Sequence, residues 1–189
     1  MKKILIGTHN IGKFKEISYL LSKSIKKISP RKLKIKSPKE TGKTFSANSK
    51  LKVKYFSRFT KLPVISDDSG LCIKALEKKP GIHSARWAKK HRRFLNAMKF
   101  ILKKMKKRQN RSATFVCSLS FKYPKKKPIN VIGKIKGKIS TRILGKNGFG
   151  YDPIFIPKNK KKTFGEMKLS QKYKLDHRYK AFKKIKKFF

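Results

Sequence analysis

An α/β domain is the fold class expected for this chain of 189 residues. Three stretches point there. Lys3-Ile4-Leu5-Ile6-Gly7 reads as a short buried strand that passes through a small polar loop into an amphipathic helix. Residues 93–106 carry one apolar stripe at helical spacing: Phe94, Leu95, Met98, Ile101, Leu102 and Met105. Residues 113–123 and 129–139 alternate in polarity and are rich in aromatic and β-branched side chains, which predicts two long antiparallel strands. The length suits a single domain, residues 1–189, or one core with two lobes.

Taken in order, the first strand is followed by Thr8-His9-Asn10-Ile11-Gly12-Lys13 and a helix whose apolar positions are Phe14, Ile17, Leu21, Ile25 and Ile28. A strand, a small polar loop and a helix N-terminus suit phosphate, because free N–H groups and the helix dipole favour anions there. Lys13 adds a cation. Leu33 and Ile35 suggest a short strand. Glu40-Thr41-Gly42-Lys43-Thr44-Phe45 leads into a second helix capped by Thr44, with Asn48 and Lys52 on one face. Phe45, Phe56 and Phe59 are expected in the core. The apolar run 63–65 enters Ser66-Asp67-Asp68-Ser69-Gly70, read as the end of a strand and a flexible turn. Two adjacent carboxylates suit a hard divalent cation and an activated water; the same residues also suit a turn in which an Asp caps its own backbone.

Leu71-Cys72-Ile73 resumes as strand, and Pro80-Gly81 marks a turn before Arg86, whose planar fork fits phosphate oxygens. The glycine-dense loop 145–153 holds Phe149, Gly150, Tyr151 and Asp152, which lets backbone approach a ligand and offers rings for stacking on a base. A strand is expected at 154–156. Thr163 and Glu166 are spaced as a capping box, and a last helix starts near Asp176 with Ala181, Phe182, Ile185 and Phe189 on one face.

Composition limits the function classes. The 55 Lys and Arg against 8 Asp and Glu give a formal charge of +47. The cations are spread along the whole chain, so a solvated surface and attraction of an anionic small substrate are expected, with weak, non-specific nucleic-acid binding at low salt and no specific nucleic-acid partner. No run is long and apolar enough for a membrane span, and the N-terminus is not read as a signal peptide. Cys72 and Cys117 sit in apolar runs and read as reduced core residues of a cytoplasmic protein.

Taken together, the ordered blocks at 8–13 with Glu16, at 40–45, 67–71, 80–86 and 148–153, then Lys172 and His177-Arg178, resemble the inosine triphosphate pyrophosphatase family. That family hydrolyses non-canonical purine nucleoside triphosphates. The resemblance implies an elongated two-lobed α/β fold with a mixed twisted sheet and an active-site cleft between the lobes, a homodimer, and Mg²⁺. It implies conversion of ITP, dITP or XTP and water to the monophosphate and pyrophosphate. By position, Asp68 would be the catalytic carboxylate and a metal ligand, with Glu40 as its metal partner. Ser69 would touch substrate. Thr8, His9, Asn10, Ile11, Gly12 and Lys13 would hold the phosphates with Arg86 nearby. Phe149, Gly150, Tyr151 and Asp152 would wall the base pocket, completed by Lys172, His177 and Arg178. The chain departs from the family pattern at Ala47, where Glu is usual, at Asp176 for Ser and at Gly165 for Ala. The alternatives are a basic nucleic-acid-binding protein on the same scaffold, or a related pyrophosphatase acting on other modified nucleotides.

Overall fold

The computed structural model describes residues 2–189. In chain order the elements are β1 (Lys3–Ile6), α1 (Ile11–Leu20), β2 (Lys26–Ile28), α2 (Phe45–Phe56), β3 (Val64–Ile73), α3 (Ser84–Lys90), α4 (Phe94–Met105), β4 (Ser112–Lys122), β5 (Ile129–Ile139), β6 (Phe155–Pro157), α5 (Leu169–Lys172) and α6 (His177–Ile185). The strands hydrogen-bond in the order β2-β1-β3-β4-β5-β6. β1 is parallel to β2 and β3, whereas β5 and β6 are antiparallel, so the sheet is mixed. The α/β class read from the sequence is the one observed.

The chain forms two compact units: Met1–Asp68, Cys117–Gly133 and His177–Phe189 in the first, Ser69–Val116 and Lys134–Asp176 in the second. In the first unit β1 is covered on both faces. Ile4 and Ile6 pack with Ile17 of α1, Phe121 of β4 and Ile185 of α6, while Leu5 packs with Val53 and Phe56 of α2. A strand buried on both sides reads as a continuous apolar run, which is how Ile4-Leu5-Ile6 appears. Each such side chain, fully buried, contributes roughly 1.5–3 kcal/mol. The core of the second unit gathers Leu71 and Ile73 of β3, Ala97, Met98, Ile101 and Met105 of α4, and the rings of Phe115, Phe155 and Phe164.

Several elements differ from expectation, each for a local reason. The helix expected to run through Ile28 ends at Leu20. The Ser22 and Ser24 hydroxyls then bond each other at 2.9 Å, the local pairing by which serines compete with helix. Ile25 and Ile28 are still buried, from a turn and from β2; the spacing was right for the core and wrong for the element. The strand expected around Leu33 is a 3₁₀ turn begun by Pro30 and capped by Ser29, and Leu33 is exposed. Phe56 is buried, but Phe59 lies beyond the end of α2 and is exposed. On α4 Leu95 falls outside the buried stripe. Thr163 and Glu166 make the reciprocal bonds of a capping box on a turn that does not itself continue as helix; α5 starts only at Leu169.

The largest correction concerns Ser69-Gly70. They lie inside β3, which continues unbroken from Val64 to Ile73. Gly70 does not supply a flexible turn. A Cβ there would stand 2.1 Å from the Gly81 carbonyl oxygen and 2.5 Å from Ser84 Oγ; the residue is glycine because another backbone passes against it.

Candidate active site

In the first unit the loop after β1 is shaped by its own side chains. Asn10 caps α1, accepting from the Lys13 backbone N–H at 3.0 Å, and the Thr8 hydroxyl accepts from Asn10 N–H at 3.2 Å. His9 pairs with the Ser37 hydroxyl at 2.6 Å. Ile11 is exposed and Gly12 partly so. The loop expected to hold phosphate is thus a capped helix N-terminus, with Lys13 Nζ 3.3 Å from Asp67.

Asp67 and Asp68 are neighbours on β3 with different surroundings, as alternation along a strand requires. Asp67 is fully buried. Arg178 Nη2 donates to it at 3.0 Å, and Arg178 Nη1 donates to the equally buried Glu16. Burial alone would raise the Asp67 carboxyl, but Lys13, then Arg178 and Lys52, outweigh it and hold it well below the usual carboxylate range. Glu16, Arg178, Asp67 and Lys13 therefore form one internal chain of alternating charge.

Asp68 is set by α2. Asn48 Nδ2 donates to its Oδ2 at 3.1 Å, and Asn48 Oδ1 accepts from Gly42 N–H at 2.8 Å, so the amide orientation is fixed from both ends. One turn on, Lys52 places Nζ 2.5 Å from Glu40 Oε1 and 3.9 Å from Asp68 Oδ1. Burial would lower the Lys52 amine; Asp67, Asp68 and Glu40 overcome that and raise it, so it stays an ammonium. Burial pushes the Asp68 carboxyl up, against the pull of Lys52 and Lys13. Glu40 and Asp68, remote in sequence, thus converge on one cation.

The chemistry of this donor set fits Mg²⁺. Among the described residues no group of three His, Cys, Asp or Glu is arranged to hold a metal. Mg²⁺ asks for less: one or two carboxylates, with waters and phosphate oxygens completing its shell. Ala47, exposed on the first turn of α2, offers no third carboxylate.

In the second unit the glycine-dense loop is held from inside. Asp152 Oδ2 accepts from Phe149 N–H at 2.8 Å and from Lys172 Nζ at 2.7 Å. Gly148 has φ +74° and a Cβ there would meet that same carboxylate oxygen at 2.1 Å, so only glycine lets the loop close on Asp152. The Lys172 ammonium also lies 5.1 Å from the centre of the Phe149 ring. Tyr151 packs edge-on against Phe94 and donates its hydroxyl to the Ser84 carbonyl at 3.0 Å; burial raises its phenol. Ser84 in turn donates to the Gly81 carbonyl and accepts from Leu71 N–H. Arg86 is exposed beside His83, at 3.1 Å, and Ser69 is half-buried on β3.

The residues singled out from the sequence thus fall into two sets. Thr8 to Lys13, Glu40, Asp68, His177 and Arg178 belong to the first unit, and Ser69, Arg86, Phe149 to Asp152 and Lys172 to the second. Asp68, Tyr151, Asp152, Lys172, His177 and Arg178 were expected to act on or touch a ligand, and in this structure all six present almost no surface. Asp152 and Lys172 hold Phe149 in place, and Arg178 holds Asp67. Glu16–Arg178 and Lys52–Glu40 escaped the sequence reading as pairs. The signal was there in the scarcity of acids: of the eight in the chain, Glu16, Asp67, Asp68, Asp152 and Asp176 are buried.

The profile of the Ham1 family matches residues 4–188. A dITP/XTP pyrophosphatase of Dictyoglomus thermophilum is 40% identical over 192 residues, covering 98% of this chain and 93% of that one. One from Caulobacter vibrioides is 38% identical over 186 residues, covering 97% and 96%. The HAM1 protein of Coxiella burnetii has a structure similar to this one with a TM-score of 0.88 at 32% identity, covering 100% of this chain and 98% of that one. The Staphylococcus aureus Ham1 protein gives 0.86 at 32% identity, covering 99% and 97%.

Proposed function

Because the chain belongs to the Ham1 family, we propose that it is a nucleoside triphosphate pyrophosphatase that removes ITP, dITP and XTP from the cytoplasmic nucleotide pool. Each turnover takes one triphosphate and one water to a monophosphate and pyrophosphate. The whole chain is read as one functional domain, working as a homodimer. One observation carries the reading: Asp68, oriented by Asn48, and Glu40, from a separate segment, converge on the Lys52 ammonium. In a chain so poor in acids, two carboxylates placed around one cation suit a metal-assisted phosphate reaction better than a nucleic-acid-binding face, where carboxylates repel the backbone.

Glu40 and Asp68 are the residues that would hold Mg²⁺. When bound, the ion would offset charge on the phosphate oxygens and lower the pKa of a coordinated water. Asp68 accepts a proton from the attacking water, and Asn48 keeps its carboxylate aimed. The N-terminus of α1 and Lys13 bind the triphosphate; Arg86 and Ser69, in the second unit, are assigned to it by the family resemblance alone. Phe149 and Gly150 bound the base, braced by Asp152, Lys172 and Tyr151. His177, in the first turn of α6, supplies a donor suited to a 6-oxo purine; Arg178 fixes the position of that turn. Adenine would meet a donor with its 6-amino group, leaving polar groups unpaired.

The test is pyrophosphate release from ITP, XTP, GTP and ATP with Mg²⁺ and then with EDTA. The expected result is release from ITP and XTP with the monophosphate as co-product, little from ATP or GTP, and loss of activity in EDTA. Release from none of the four would shift the reading to a binding protein on this scaffold, and preference for modified pyrimidines to the related pyrophosphatase. His177→Ala is expected to lower the ITP/ATP ratio of kcat/KM by about tenfold, the scale of one mispaired buried group. An unchanged ratio would remove His177 from base recognition. Sedimentation velocity reads the dimer directly.

A further inference from the structure

We propose that the outer face of α3 and α4, in the second unit, is a platform for single-stranded nucleic acid bound without sequence preference. The inference is independent of the pyrophosphatase reading. Between Ser84 and Arg108 the chain carries eleven Lys and Arg and no Asp or Glu; the carboxylate-free run extends from Lys78 to Tyr151. α4 buries Ala97, Met98, Ile101 and Met105, and its other side turns Lys99, Lys103 and Lys104 to solvent, with Lys107 exposed in the turn that follows. Beside them Lys89, Lys90, Arg92 and Arg93 are exposed at the end of α3.

Charge is only half of the feature. Between the two helices lies an aromatic cluster. The ring centres of Trp87 and Phe100 are 5.6 Å apart, and those of His91 and Phe100 are 4.6 Å apart. Lys104 Nζ lies 5.6 Å from the Phe100 ring. All three rings are half-buried. A cationic track with partly open rings is the arrangement that binds single strands, the cations following the phosphates and the rings taking unpaired bases. Charge decides the occupant. A second copy of this face would set cation against cation with no carboxylate to receive them, whereas a polyanion meets every group on it.

Trp87, the only tryptophan, lies inside the proposed platform and reports on it directly. The full chain is titrated with oligothymidylate and with oligouridylate on the order of a dozen nucleotides, and separately with inorganic polyphosphate. The expected result is saturable quenching of Trp87 by both oligonucleotides and none by polyphosphate. Phe100→Leu should weaken oligonucleotide binding about tenfold, leaving polyphosphate binding and the circular dichroism spectrum unchanged. Removing Lys103 and Lys107 together (Lys→Ser) should flatten the plot of log K against log salt by about 0.7 per lysine. Binding without a change at Trp87, equal quenching by polyphosphate, or an unaffected Phe100→Leu variant would each overturn the platform. So would a dimer that these substitutions dissociate, which would give the face to a second copy.

Discussion

Asp68→Asn is expected to leave the protein folded and to reduce pyrophosphate release by about 10²–10⁴-fold, the usual worth of a positioned general base. The substitution is nearly isosteric. Its side-chain oxygen can still accept from Asn48, which now holds Asp68 at 3.1 Å. Lys52 keeps Glu40, its nearer partner at 2.5 Å. What disappears is the charge that would take a proton and help hold Mg²⁺. The measurement is single-turnover hydrolysis of ITP, with thermal unfolding as the control for folding. A variant that retains its Tm and most of its rate would show that Asp68 is not the base.

Arg178→Ala should fail in the other way, through stability. Arg178 is fully buried between Glu16 and Asp67 and makes a bond to each. Removing it leaves the Glu16 and Asp67 carboxylates in the interior without the guanidinium that bonds both, while Lys13 and Lys52 remain as cations near Asp67. Breaking a buried ion pair from one side costs about 3–5 kcal/mol, so a large fall in the denaturation midpoint is expected. The sequence reading gave Arg178 a role in telling ITP from ATP; its burial makes loss of folding the first effect of substitution. Unchanged stability together with a lost ITP/ATP preference would restore the direct role. Arg178→Lys separates the cases further, since one ammonium cannot reproduce the two-pronged contact.

Much of the fold was legible because its elements declare themselves by period. The stripe on α4, the Thr44 cap of α2 and the two long strands all appear within a residue or two of their expected places. The errors arose where one pattern has two structural causes. Ile17, Leu21 and Ile25 repeat at helical spacing and do share a core, but Ile25 reaches it from a turn beyond the helix. Ser69-Gly70 looked like a hinge because glycine is ambiguous in sequence; its real partner, the Gly81 carbonyl, lies eleven positions away and leaves no local mark.

At the site, the identity of the important residues was readable and their division of labour was not. Rarity exposed Glu40, Asp67 and Asp68. Nothing in the local sequence tells that Asp67 is tied to Arg178 while Asp68 faces Asn48 and Lys52, because that depends on which side of β3 each occupies and on what α1, α2 and α6 bring there. The same holds for Lys172, whose partner Asp152 is twenty residues away.

The Glu16–Arg178 contact joins positions 162 residues apart, and this bears on how the protein is made. A chain emerging from the ribosome presents β1, α1 and β3 long before α6 exists. Until then Glu16 and Asp67 have no guanidinium, and the apolar cluster around Ile4 and Ile17 lacks Ala181, Phe182 and Ile185. The core around β1 and α1 is therefore complete only once α6 has been made, with Arg178 162 positions after Glu16, so completion of the first unit doubles as a check that translation has reached α6.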